Sequence, residues 1–167
     1  HRFLMKILIG SNVHWWNAEA AYATTLAALL QDAGHEVWVL TRPDSLNAEK
    51  LQARGLRTLT EINLNSNNPL QWFRSYHQLC DFLQTHQIDL IHAHRSEGYP
   101  LLAFAKRKLG IPLVRTRGTA RPLQQNWLNQ KLYGDWTDAT IAVGEVVAQQ
   151  LRNVLDLPAG HPYVIYY

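Results

Sequence analysis

Seven short apolar runs, separated by stretches with helical spacing, constrain this chain more than any other feature. Met5–Gly10 is continuously apolar but for Lys6, the signature of a strand buried on both faces of a parallel sheet. Glu36–Thr41 follows with Val37, Trp38, Val39 and Leu40 in a row, and Arg57–Leu64 is a weaker third strand. Ile88–Ala93, Ile111–Thr116 (with Pro112 near its start), Ala139–Val143 and Tyr163–Tyr167 complete the set. Between the first two strands, Asn17 caps a helix, with Glu19 in its first turn and Tyr22, Leu26, Leu29 and Ala33 along one stripe. Gly34 ends it. Asp44–Arg54 is irregular or helical. Asn68-Pro69 opens a helix that runs to about Gln84, and Tyr99–Leu109 is closed by Gly110. Helical stretches are expected at Leu123–Leu132 and Glu145–Leu155. Strands that alternate with helices over short connections require right-handed crossovers. The expected fold is therefore α/β: a three-layer Rossmann-like domain, its mostly parallel sheet of about seven strands covered by helices on both faces. His1–Leu4 reads as an extended or vector-derived start and is set aside.

With 167 residues, 47% of them apolar, the chain has room for one domain and a real core. Its single cysteine, Cys80, rules out a disulfide scaffold and a cysteine zinc site, and falls on the apolar stripe of its helix as a core thiol. No apolar run approaches the roughly 18 residues of a membrane span, and no signal peptide is visible, so a soluble cytoplasmic protein is expected. The net charge of +3 is unevenly spread. From Ile88 to Gly134, eight basic residues (Arg95, Lys106, Arg107, Lys108, Arg115, Arg117, Arg121, Lys131) face only Asp89 and Glu97, which leaves the rest of the chain negative. Such a block is either a solvated face or a site for phosphates or acidic lipid headgroups.

Open parallel sheets bind ligands beyond the carboxyl ends of their strands. There the chain places Gly10, Ser11, Asn12, Val13, His14, Trp15 and Trp16, then His92, His94, Arg95, Ser96 and Glu97, then Arg115, Arg117, Gly118, Thr119 and Arg121, then Gly144 and Glu145. Half of the basic block, Arg95, Arg115, Arg117 and Arg121, lands on this edge. Lys106–Lys108 instead sit at a helix C-terminus, where the helix dipole accounts for them. Only Gly10 is present where a Gly-x-Gly-x-x-Gly turn would be needed, and no P-loop lysine occurs, which argues against NAD, FAD and ATP sites of those types. His92 and His94 share one face of a strand end. A metal would need a third ligand such as Glu97 or Asp89, at a spacing that is not diagnostic. The favoured reading has His92 buried and hydrogen-bonded, His94 facing a ligand, and no metal. No Gly-x-Ser-x-Gly nucleophile elbow is present. Trp15 and Trp16 either stack on a sugar ring, close a cleft or cover the sheet edge. Arg117 and Arg121 around Gly118 suit bidentate capture of phosphate or carboxylate, or alternatively pair with Glu97 or Glu145.

Several segments, in order and correctly spaced, resemble glycosyltransferase family 4. They are Met5-Lys6-Ile7-Leu8, Ala33-Gly34-His35-Glu36-Val37, Ile88-Asp89-Leu90-Ile91-His92-Ala93-His94, Leu109-Gly110-Ile111-Pro112-Leu113-Val114 and Thr137-Asp138-Ala139-Thr140-Ile141-Ala142-Val143-Gly144-Glu145. The resemblance implies one half of a GT-B enzyme, whose two Rossmann-like domains face a cleft. This chain looks like the N-terminal, acceptor-side half, with the donor domain and its paired glutamates outside it. Three departures stand out: Trp16-Asn17 replaces the family's Gly-Gly pair, Gly118 occupies the position of a common histidine, and Gly144 replaces the serine before Glu145.

The resemblance implies a retaining transfer of a sugar from a nucleotide-sugar donor to a saccharide or lipid-linked acceptor. Arg115-Thr116-Arg117-Gly118 resembles, more weakly, a bacterial subset that builds cell-envelope polysaccharide or lipopolysaccharide. His94 would orient the acceptor hydroxyl. Gly10, Ser11, His14, Arg95, Ser96, Arg117, Gly118, Thr119, Arg121 and Glu145 would bind acceptor or phosphate. No cofactor, metal or nucleic acid is expected, residues 1–167 alone should be inactive, and the basic edge suits peripheral contact with an anionic membrane. The rival readings are a non-catalytic module for a phosphorylated sugar or nucleotide, and half of a sugar-nucleotide epimerase.

Overall fold

In the computed structural model, which describes residues 3–166, the apolar runs become a single sheet. The elements in chain order are β1 (Lys6–Gly10), α1 (Ala18–Asp32), β2 (Glu36–Leu40), α2 (Leu46–Ala53), β3 (Arg57–Leu59), α3 (Pro69–Thr85), β4 (Leu90–Ala93), α4 (Tyr99–Leu109), β5 (Leu113–Arg117), α5 (Trp127–Tyr133), β6 (Ala139–Ala142), α6 (Glu145–Val154) and β7 (Tyr163–Val164). The sheet order is β3-β2-β1-β4-β5-β6-β7 and all its pairings are parallel. The expected Rossmann-like fold is present, with its topological switch between β1 and β4.

The two-residue period of the strands divides the core. Ile7, Ile9, Val37 and Val39 point to one face and pack with Ala27 of α1 and Leu51 of α2. Leu8, Trp38, Leu40, Ile91 and Leu113 point to the other, against Leu79 and Leu83 of α3, Leu102 of α4 and Leu151 of α6. Cys80 is buried in this second layer, as expected from its stripe. Asn17, Ser45, Asn68 and Asn126 each accept a hydrogen bond from a first-turn amide of the helix that follows. Gly34 takes the left-handed conformation, φ +98°, that stops α1. Among the described residues no helix is long and apolar enough to cross a membrane.

Boundaries differ from expectation where hydrogen-bond partners run out. β3 ends at Leu59 rather than Leu64, because it is an edge strand and its only neighbour, β2, ends at the Leu40–Leu59 pair. β4 starts at Leu90 rather than Ile88, whose amide still closes the turn after α3 on Leu83. β5 starts at Leu113 and reaches Arg117, one residue past the expected Thr116. Asp44–Arg54 resolves into α2, capped by Ser45. α5 begins at Trp127 rather than Leu123, where the Asn126 cap sits. β7 is only Tyr163–Val164; His1, Arg2 and Tyr167 lie outside the described residues.

Candidate functional site

The carboxyl ends of β4 and β5, with the start of α1, enclose a cavity of about 930 Å³. It collects seven of the expected residues: His94, Arg95, Ser96, Arg117, Gly118, Thr119 and Arg121. The others lie apart. Gly10 and Ser11 are buried beneath, where a Cβ on Gly10 would touch Leu102 at 3.0 Å and the Ser11 carbonyl accepts from the Asn47 amide at 3.1 Å. His14 is exposed and lines a second cavity of about 390 Å³ with Asn12, Arg42 and Asp44. Glu145 is exposed and paired with Arg152 at 2.8 Å, one residue after Gly144, which starts α6 without a side-chain cap. Trp15 stands 74% exposed on the wall of the larger cavity, whereas Trp16 lies half-buried under the Lys50 ammonium.

The two histidines continue β4 on one face. His92 Nε2 shares a 2.7 Å hydrogen bond with the Thr116 hydroxyl. The imidazole of His94 stacks on His92, centroids 4.2 Å apart, and meets Tyr22 of α1 edge-on. Burial, and then the charge of Arg115, lower the pKa of His92 to about 4. Burial, then His92 and Arg115, hold His94 well below the ordinary imidazole value. Both rings are therefore neutral near pH 7. His94 is more deeply buried than a ligand-facing group would suggest, at 3% exposure, and its buried Nε2 has no hydrogen-bond partner among the described residues. A neutral imidazole with a spare ring nitrogen can accept from, or donate to, a hydroxyl.

The basic residues behave differently from a solvated face. Arg95 grips Glu97 through Nε and Nη2, each at 3.1 Å, and Glu19 of α1 through Nη1 at 2.5 Å. Lys106 pairs with Asp138 and Lys131 with Asp135, while Arg107 and Lys108 lie over Trp136 and Tyr76. Arg117 pairs with neither Glu97 nor Glu145: it donates to the Tyr133 hydroxyl at 3.3 Å and the Arg121 carbonyl at 2.7 Å. Arg121 is itself exposed. Arg115, deepest of all at 2% exposure, lines the same cavity floor.

Sequence reasoning placed Arg115 on this edge without making it a site residue, and missed Glu19, Tyr99 and Tyr133. The signal for Arg115 is its two-residue offset from Arg117, which puts both guanidiniums on one face of β5. In the sequence Glu19 shows only as a favourable first-turn acid. It also explains Gly118, since a Cβ there would come within 3.0 Å of the Glu19 side chain.

The family model described as Glycosyltransferase Family 4 matches residues 20–167. Anabaena Alr3699/HepE, solved in complex with UDP and glucose, superposes with a TM-score of 0.80 at 17% identity, covering 97% of this chain and 44% of that one. MurG of Acinetobacter baumannii gives 0.69 at 15% identity, with 97% and 45% covered. The lipopolysaccharide outer core galactosyltransferase WaaB, in its apo form, gives 0.72 at 12%, with 97% and 45% covered. At these identities the likeness is one of fold, and the chain spans less than half the length of each structure. The curated proteins offer no match.

Proposed function

The chain belongs to glycosyltransferase family 4, and on that premise we propose that it is the acceptor-side half of a two-domain, retaining transferase. The donor is a nucleotide sugar and the acceptor a saccharide or lipid-linked saccharide of the bacterial cell envelope. The observation that carries this reading is the cavity at the carboxyl edge of β4 and β5, where a neutral His94 and a set of arginines meet. The fold is shared with a protein solved with UDP and glucose, which supports a nucleotide-sugar donor. The share of those structures covered by this chain supports a second half that holds it.

In this reading the chain's residues position rather than attack. His94, held by its stack on His92 and lining the cavity, orients the acceptor hydroxyl. Arg95, fixed from both sides by Glu19 and Glu97, shapes the wall beside it. Ser96, Thr119 and Arg121 offer polar contacts at the rim, and Trp15 an exposed ring for a sugar face. Arg117 and Arg121 bind anionic groups. The soluble protein works at the cytoplasmic side of the membrane, with Arg121 and neighbouring polar residues toward the anionic surface.

The test is turnover by the intact protein with a panel of nucleotide sugars and a lipid-linked saccharide fraction from bacterial envelopes. Acceptor-dependent release of nucleoside diphosphate, with a product of unchanged anomeric configuration, is expected. Tight binding with no turnover on any acceptor would instead favour the non-catalytic module, and an epimerised donor would favour the epimerase.

A further inference from the structure

Alternation along β5 places Arg115 and Arg117 side by side on one face, 2% and 4% exposed, and both line the large cavity. Among the described residues neither has a carboxylate within ion-pair distance. Glu19 and Glu97, the acids lining the same cavity, form their ion pairs with Arg95, and Arg115 acts on Glu97 only through space, helping to hold that carboxyl below its ordinary value. A buried charge without a counter-ion is costly, so such pairs are rare unless something else neutralises them. Neutral groups alone hold Arg115: the Thr116 carbonyl at 2.8 Å, the Ala93 carbonyl and Ser96 hydroxyl at 3.4 Å each, and the rings of Tyr99 and Tyr133 at 5.0 and 6.0 Å. Among the described residues its Nε has no hydrogen-bond partner. Arg117 relies on one carbonyl and one phenol.

The surroundings register this unbalanced charge. Burial alone would push the Tyr133 phenol up, yet Arg115 and Arg117 outweigh it and hold the group below its ordinary value. The N-terminus of α4, capped by Gly98 with no side-chain hydrogen bond, brings Tyr99 against Arg115 and adds positive field at the same point.

We propose that Arg115 and Arg117 form a seat for one anionic group of the acceptor, a carboxylate or a phosphate ester. This rests on the acceptor-side reading above and names the acceptor class: an acidic or phosphorylated saccharide. Paired guanidiniums suit two-oxygen recognition of such groups. Their depth favours a compact exocyclic group reaching down from a ring that fills the cavity above. A neutral sugar would leave both charges buried and unmatched.

The experiment is calorimetric titration of the intact protein with glucuronate, glucose 6-phosphate and neutral glucose. At least one anionic sugar should bind tenfold or more tighter than glucose, and titration should move the side-chain Nε–Hε resonance of Arg115 in an ¹⁵N spectrum. Preference for glucuronate assigns the carboxylate and preference for the phosphate assigns the ester. Arg117→Gln should reduce the preference at least tenfold, Arg117→Lys less, with folding checked by circular dichroism. Should Arg117→Gln fail to fold, the resonance shift in the unaltered protein still decides. Equal affinity for glucose, an unmoved Arg115 resonance, or a preference that survives in folded Arg117→Gln overturns the seat. Transfer to a neutral acceptor with no anion preference would remove the seat and leave the transferase standing. Anion selectivity with no transfer to any acceptor would do the reverse.

Discussion

His92 and His94 stack with ring centroids 4.2 Å apart and planes inclined by 30°, both almost fully buried and neither able to hold a proton cheaply. His92 sits at about 4 in the fold against an ordinary 6.5, through burial and then Arg115. The unfolded chain therefore takes up a proton first on acidification. Stability is fully present above about pH 6.5 and falls as the pH drops toward 4. His92 alone removes about 2 kcal/mol between pH 7 and 5, with His94 acting in the same direction. Urea midpoints at those two pH values measure it, and His92→Gln should flatten the dependence. Equal midpoints would mean that water reaches the rings.

Arg115 is the charge that His92, His94 and Tyr133 all sense. Replacing it by methionine keeps bulk and removes the cation, so His92 should titrate above about 4 and Tyr133 should move up as well. Imidazole proton shifts followed by NMR from pH 7 to 4 read the first effect, and phenolate absorbance in alkali the second. If neither group moves, the guanidinium is screened by water in the cavity and its field on these groups is small.

Periodicity made the sheet legible because each buried strand must be apolar whatever its neighbours do. Ile7, Leu8 and Ile9 announce themselves without tertiary information. The site is legible only down to the strand ends. That His94, Arg95, Arg117 and Gly118 share an edge follows from parallel topology. Which of them is free does not, because Arg95 is neutralised by Glu19, 76 residues away in sequence. The same limit hid Tyr133, whose ring meets Arg115 and Arg117 only after α5 folds back over β5. Charge counting along the chain leaves a solvated face and an anion site both open, whereas packing makes pairs, cation–aromatic contacts and two buried guanidiniums.

Asn17 stands where the family resemblance leads one to expect glycine, and its side chain accepts from the Ala20 amide at 2.9 Å to start α1. Removing that oxygen leaves a first-turn donor unmet in a helix that carries Glu19 to the cavity. Asn17→Ala should cost about 1 kcal/mol, whereas Asn17→Gly should cost only a few tenths, because glycine is tolerated at a helix N-cap far better than alanine. Thermal melts of the two variants compare them directly. A glycine variant as damaged as the alanine one would show that Asn17 matters through a contact other than the cap.

Gly98 joins the Ser96–Glu97 wall of the cavity to α4, at φ +78°. A Cβ there would be strained by the left-handed backbone, at about 1–2 kcal/mol. It would also stand 2.4 Å from Leu64 Cδ1 and 3.0 Å from Leu64 Cβ, an overpacking of about 1–3 kcal/mol. Gly98→Ala should therefore destabilise the protein by about 2–5 kcal/mol, measured by urea unfolding. The two causes separate in a double-mutant cycle. Leu64→Ala removes the atom at 2.4 Å but leaves the one at 3.0 Å and the backbone untouched. In that background Gly98→Ala should recover about half its cost and no more. Full recovery would assign the whole effect to the Leu64 contact, and none would assign it to the backbone of the turn that presents Ser96 and Glu97.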